Sequence, residues 1–287
     1  MKIALCGLGK AGKEVALALR KRIDLELVCG ICRDNSTASE KTMGDIFDLP
    51  DMEIPIYEMK DAKLAFALHR PDVVIDFSSK DATLMLLPLL VDQQVSIVIC
   101  TTGFSPEELM DLQNYGIQNN IAVAYTPNVT IGINVMMNLA AIVAQCLPHF
   151  DYQITEMHHS KKADPISGTA YKIENALMKN LPKEKGPIPI NAVRAGGYVG
   201  YHEVLSVGQN ERITIVHESF SRQAFADGAI MAAQYIEAKR GYFEMAEIVQ
   251  NYLNDGPHCP LETEDLTKVK HIEEIKHHVI KKDSAIS

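Results

Sequence analysis

The chain has 287 residues, 47% hydrophobic and 23% charged, which suits one large or two ordinary globular domains and excludes disorder as the main state. A formal net charge of −9 offers no basic field, so neither nucleic acid nor an anionic membrane surface is an expected partner. No apolar run reaches the roughly 20 residues of a membrane span and the amino terminus is unlike a signal peptide, so a cytoplasmic protein with reduced cysteines is expected.

The first segment, "KIALCGLGKAGKEVALALRKR", is an apolar strand, a glycine turn and an amphipathic helix carrying Val15, Ala16, Leu17 and Leu19. Strand-like runs "LELVCGIC", "PDVVIDFS", "VSIVICT" and "NIAVAYT" then alternate with helical runs "DAKLAFALH", "DATLMLLPLLVDQ" and "SPEELMDLQNYG". Apolar strands separated by helices imply a parallel sheet covered on both faces. The strands end in small polar residues ("GLGKAG", "DFSSKD", "CTTGFS", "TPNVT"), and ligands bind at the carboxyl ends of such a sheet. Cys29 and Cys32 match C-x-x-C but lack a second pair, so the run is expected to be plain strand.

After about residue 127 the pattern changes. A long helix, "IGINVMMNLAAIVAQCL", leads into "DYQITEMHH", a second helix "AYKIENALMKNL" and a loop rich in Pro, Lys and Gly. Three further runs, "NAVRAGGYVG", "YHEVLSVG" and "ERITIVHESF", are neighbours with short connectors and are expected to pair antiparallel. The expected division is a dinucleotide-binding domain over 1–127, joined again by 240–255, and a substrate domain over 128–239. A charged extension over 256–287 is expected to be a surface helix or a loose tail.

Gly7, Leu8, Gly9, Lys10, Ala11 and Gly12 fit G-x-G-x-x-G between a strand and a helix, where backbone N–H groups and the helix amino terminus receive a pyrophosphate. At the end of the second strand stands Arg33, which with Lys10 favours the 2′-phosphate of NADPH, while Asp34 keeps NADH open.

Residues 156–170, "EMHHSKKADPISGTA", concentrate unusual chemistry. Ser167, Gly168 and Thr169 precede a helix, so its first N–H groups form a seat for a carboxylate, with Lys162 able to supply charge. His158 and His159 point to opposite sides of a strand end, one toward a cavity as an acid. The pair lacks a third ligand at suitable spacing, so no metal is expected.

This stretch resembles the signature E-x-H-H-x-x-K-x-D-x-P-S-G-T-A of the 4-hydroxy-tetrahydrodipicolinate reductase (dihydrodipicolinate reductase) family. "DFSS", "TTGFSPEEL", "TPNVTIGINV", "VRAGGYVGYHEV" and "SRQAFADGAIMAA" resemble further family segments in the same order. The resemblance covers about residues 1–255. It implies an α/β fold with an N-terminal Rossmann domain and an α+β substrate and oligomerisation domain with a mixed or antiparallel sheet. It also implies an NAD(P)H-dependent reductase of a small cyclic dicarboxylate, usually a homotetramer built through the second domain's sheet. His158 would be the general acid and Lys162 its partner or a carboxylate anchor, with His159, Ser167, Gly168 and Thr169 cradling the substrate. Cys100, Thr101, Thr102, Thr126 and Asn128 would line the nicotinamide, with Arg222 and Phe225 near it. One departure is that proline stands one residue early, at Pro165, which places Ile166 against the carboxylate turn. A reductase of another amino or imino acid and a non-catalytic NADPH-binding regulator are the alternatives.

Overall fold

The computed structural model describes residues 1–255. Its first half runs β1 (Lys2–Cys6), α1 (Lys10–Arg20), β2 (Glu26–Cys32), α2 (Met43–Phe47), β3 (Ile56–Glu58), α3 (Ala62–His69), β4 (Val73–Asp76), α4 (Lys80–Gln93), β5 (Ser96–Ile99), α5 (Pro106–Gln118) and β6 (Ala122–Tyr125). It continues with α6 (Ile131–Cys146), β7 (Asp151–His158), α7 (Gly168–Met178), β8 (Ile190–Arg194), β9 (Gly200–Val207), β10 (Arg212–Ser219), α8 (Gln223–Ile236), β11 (Gly241–Glu244) and α9 (Met245–Asp255). Met1–Val249 pack as one compact unit.

Seven strands form a sheet in the order β11-β6-β5-β4-β1-β2-β3, with parallel pairings throughout. Alternation along the strands sends residues to two cores. Ile3, Leu5 and Ile75 face Val15 and Leu19 of α1 and Ala229 and Ala233 of α8. Ala4, Cys6 and Val74 face Phe66 of α3, Leu86 and Leu90 of α4 and Leu112 of α5. At roughly 1.5–3 kcal/mol for each fully buried Leu, Ile or Phe, these cores hold the sheet against its helices. Chain direction across the sheet reverses between β1 and β4, which opens a crevice at their carboxyl ends.

The second sheet has the order β10-β9-β7-β8. Its β9 pairs antiparallel with both β7 and β10, but β8 lies parallel to β7, against the expectation that the three late strands pair antiparallel. The reason is connectivity. The link from β7 to β8 carries α7, a crossover that returns the chain to the same edge in the same direction. Although β8 and β9 are consecutive in sequence, β7 lies between them. Ile154 and Val204 on the inner face pack with Ile133, Met136 and Ala140 of α6 and Ile173 and Leu177 of α7.

Three features were not visible in the periodicity. α2 has only five residues, held by a capping box between Thr42 and Asp45. β3 has only three residues, at the sheet edge. α8 carries Gly228 where a Cβ would lie 1.8 Å from the Val129 carbonyl oxygen, so glycine permits the helix to lie against the chain leaving β6. Cys29 and Cys32 are buried free thiols in β2. The expected extension over 256–287 lies outside the described residues.

Candidate active site

The glycine turn after β1 divides its labour. Gly7 has φ +89°, and a Cβ there would lie 2.4 Å from the Phe77 carbonyl carbon; on Gly12 it would lie 2.1 Å from the Gly7 oxygen. Both are required by the fold. A Cβ on Gly9 would meet nothing within 4 Å, although the residue caps α1 without a side-chain bond. That space, beside unsatisfied first-turn N–H groups, fits the pyrophosphate of a dinucleotide. Leu8 packs toward Gly30, Lys10 is exposed at the first position of α1, and Ala11 faces the cavity described below. Arg33 is exposed just beyond β2. Asp34 is already engaged, since its Oδ1 accepts the Lys60 backbone N–H at 2.8 Å.

At the end of β4, buried Asp76 accepts from the Ser78 N–H at 2.8 Å, the Ser78 hydroxyl at 2.5 Å and the Thr83 hydroxyl at 2.5 Å. Burial raises its carboxyl above the usual range, against these donors. Thr83 also meets the Thr101 hydroxyl at 3.2 Å, so Thr101 is bound into the scaffold while Thr102 is exposed. Burial pushes the Cys100 thiol far up, so it is uncharged, and it lies 3.4 Å from the Thr126 hydroxyl. Thr126 is buried and donates to the Ile99 carbonyl at 3.2 Å.

A cavity of about 300 Å³ lies between these strand ends and the inner face of the second sheet. Ala11, Phe77, Cys100, Asn128 and Phe225 line one side; Thr169, His158, His202 and His217 line the other. Asn128 accepts the Thr169 hydroxyl at 3.0 Å, and its own Nδ2 is buried without a partner.

His158 ends β7 and is 9% exposed. Its Nδ1 lies 2.5 Å from Oε2 of Glu156, a carboxylate with no exposure at all. A carboxylate only accepts, so Nδ1 carries hydrogen, and Nε2 lies toward cavity-lining Gly200, where an added Cβ would stand 3.4 Å away. Burial lowers the His158 pKa, outweighing the charge and hydrogen bond of Glu156. Glu156 also accepts the Ser167 N–H at 3.0 Å and two bonds from Arg194, at 2.9 and 2.6 Å. Burial pushes its carboxyl up, but Arg194, His158 and the Ser167 N–H outweigh that and the net shift is down.

Ser167 caps α7. Its hydroxyl accepts the Ala170 N–H at 3.1 Å and lies 3.4 Å from Nε2 of His202. Burial, with His158 beside it, lowers the His202 pKa to about 3, so this ring is neutral. Both polar groups of Ser167 are thereby committed within the protein. The first-turn N–H groups of Gly168 and Thr169 remain for a ligand. Lys162, half-buried, lies 3.1 Å from the Asp164 carboxylate. His159 donates its N–H to the Tyr198 carbonyl at 2.9 Å, and its Nδ1 is buried and unpartnered. Ile166 packs against the core of the second sheet, while the Asp164 and Pro165 carbonyls accept from Arg194.

The structure therefore gathers Ala11, Cys100, Asn128, His158, Thr169 and Phe225 around one cavity, and does not place Thr126, His159, Lys162 or Arg222 on its lining. Sequence reasoning missed Glu156, Arg194, His202 and His217. Glu156 was within reach of it, since residues i and i+2 of a strand share a face. The others depend on register: Arg194 pairs with His158, and His202 with both Glu156 and His217.

Two family models match this chain, the amino-terminal part of dihydrodipicolinate reductase over residues 1–129 and its carboxy-terminal part over residues 132–249. The chain belongs to the dihydrodipicolinate reductase family. It is 34% identical to the 4-hydroxy-tetrahydrodipicolinate reductase of Caldanaerobacter subterraneus, covering 84% of this chain and 95% of that one. To the reductase of Ralstonia nicotianae it is 32% identical, over 87% and 99%. A dipicolinate-bound dihydrodipicolinate reductase from Paenisporosarcina sp. TG-14 superimposes with a TM-score of 0.69 at 25% identity, over 85% of this chain and 97% of that chain. An amine dehydrogenase from Mycobacterium smegmatis, at 12% identity and TM-score 0.64, shares the fold alone. The activity is that of the family, NAD(P)H-dependent reduction of 4-hydroxy-tetrahydrodipicolinate to tetrahydrodipicolinate in diaminopimelate and lysine biosynthesis. Among the described residues no helix is long and apolar enough to cross a membrane.

Proposed function

We propose that in this dihydrodipicolinate reductase His158 is the general acid, that the start of α7 with Lys162 seats a substrate carboxylate, and that NADPH is the preferred hydride source. One observation carries the reading: His158 and Thr169 face the same cavity as Ala11 of the glycine turn and Phe225. When bound, the nicotinamide would supply hydride to the ring carbon that becomes conjugated with the C=N bond once the substrate's 4-hydroxyl has left as water. Electron density rises on the neighbouring atom, and a proton held at Nε2 of His158 answers it. Burial favours the neutral ring. A dicarboxylate arriving beside it returns negative charge and draws the pKa back up, so the acid is loaded when substrate is present. Lys162 exchanges Asp164 for a substrate carboxylate, one charge-assisted bond for another, and the N–H groups of Gly168 and Thr169 fix the ring's orientation.

The preference for NADPH rests on Arg33 being exposed beside the ribose position while Asp34 is held by Lys60. The proposal also includes a homotetramer in the cytoplasm and no metal, so prolonged chelation leaves turnover unchanged. The test is a pair of variants assayed with synthase product, NADPH and pyridine-2,6-dicarboxylate as competitor. Lys162→Ala lowers kcat/KM about a hundredfold, or about 2.7 kcal/mol, and weakens the competitor. His158→Gln lowers kcat while competitor and NADPH affinities stay near wild type. Normal turnover in both variants sinks the assignment.

A further inference from the structure

We infer that Glu156 is a positioning residue of the reduction: its single buried carboxylate fixes His158 with Nε2 toward the cavity and ties that ring to the start of α7 and to β8. This rests on the reading of His158 as the acid. Glu156 reaches three different segments at once. One oxygen meets His158 Nδ1 at 2.5 Å, and the other accepts the Ser167 backbone N–H at 3.0 Å. The Arg194 guanidinium spans both oxygens, at 2.9 and 2.6 Å. Arg194 in turn donates to the carbonyls of Asp164 and Pro165, at 2.9 and 3.1 Å, in the loop that carries Lys162. The proton donor and the carboxylate seat therefore share one buried anchor, and the distance between them is set by groups that substrate does not touch.

The charges around His158 make the inference testable by sign. Glu156 on β7 favours the protonated ring; Arg194 on β8 and Lys162 in the following loop disfavour it. His202 on β9 stacks edge to face on it at 5.4 Å between ring centroids. Burial first, and then His158 beside it, keeps His202 neutral, and His217 on β10 is pushed the same way by burial. Asp164 is paired with Lys162. Glu156→Gln keeps the shape and removes the negative charge, so protonation of His158 moves to lower pH. Arg194→Gln removes a positive charge from the same cluster, so it moves to higher pH.

The experiment is the pH profile of kcat for wild type, Glu156→Gln and Arg194→Gln, with NADPH affinity measured alongside by fluorescence. Since the acid must be protonated, kcat falls as pH rises through the His158 midpoint. We expect that midpoint to drop by about one pH unit in Glu156→Gln, with kcat at pH 7 about tenfold down, and to rise in Arg194→Gln. NADPH affinity should stay within about twofold in both. Loss of activity at every pH with unmoved midpoints overturns the inference and leaves Glu156 a structural group. If Glu156→Gln does not fold, Arg194→Gln decides alone: a raised midpoint supports the inference and an unmoved one overturns it. Wild-type turnover in His158→Gln would instead remove the underlying reading of the acid.

Discussion

One added carbon separates the glycines of the first turn. On Gly12 a Cβ would press 2.1 Å from a backbone oxygen that cannot retreat, whereas on Gly9 it would occupy the open space offered to the pyrophosphate. Gly12→Ala is therefore expected to destabilise the fold by about 3 kcal/mol, seen as a lower urea midpoint. Gly9→Ala should melt like wild type while binding NADPH about tenfold more weakly, roughly 1.4 kcal/mol, by fluorescence titration. Equal melting losses in the two variants would refute this division. Arg33→Ala should raise KM for NADPH by about tenfold and leave NADH almost untouched; equal losses would mean that Arg33 does not read the phosphate. At this scale the sequence was informative where covalent spacing fixes local geometry, as in the glycine turn, while of the His158-to-Thr169 stretch only His158 and Thr169 line the cavity. It was silent where a partner decides. Ser167 looks like a ligand donor, but its N–H is held by Glu156 and its hydroxyl lies between Ala170 and His202.

Neutral His202 gives the second sheet an acid sensitivity. The unfolded chain takes up a proton there below about pH 6.5, whereas the folded one resists until about 3. The folded pKa is thus depressed; the unfolded state binds more protons in that window, and stability present above about 6.5 is lost as pH falls toward 3. His158 and His217 are shifted in the same direction. Urea midpoints should therefore fall between pH 7 and pH 4, and fall less in His202→Gln; an identical fall in the variant would exclude His202 as a source. In the first sheet β1, β2, β4, β5 and β6 were legible because buried parallel strands read as apolar runs, and α1, α3, α4 and α5 are long enough to show their period, whereas α2, β3 and β11 are too short to do so. β8 was paired wrongly because strand order is set by where a crossover helix returns the chain, and no local pattern in "INAVR" records that.

In the molecule as a whole, the cavity exists because the open end of a parallel sheet meets the inner face of a mixed one, and each contributes what the other lacks. The first brings the dinucleotide turn, the second the histidines. The outer face of the second sheet carries Val193 of β8 and Val216 of β10, the latter 51% exposed. If the proposed tetramer forms through this face, Val216→Glu should lower the sedimenting mass while each protomer keeps its melting temperature, because the side chain touches no core. An unchanged mass would move the interface elsewhere. The order of strand and helix runs made a two-sheet α/β molecule legible, and the family pattern named candidate ligand residues. The convergence of Glu156, Arg194, His202 and His217 required the register.

Asp34 carries a consequence for redesign. If NADPH is preferred as proposed, an engineer wishing to retarget the enzyme to NADH would neutralise Arg33 and look to the neighbouring acid as a ready acceptor for the ribose diol. That acid is not free, since it anchors the turn following β3 through the Lys60 amide. Swinging it inward would hand that exposed amide to water and release the turn, so a cofactor swap that recruits Asp34 would loosen the chain after β3 by about 1 kcal/mol.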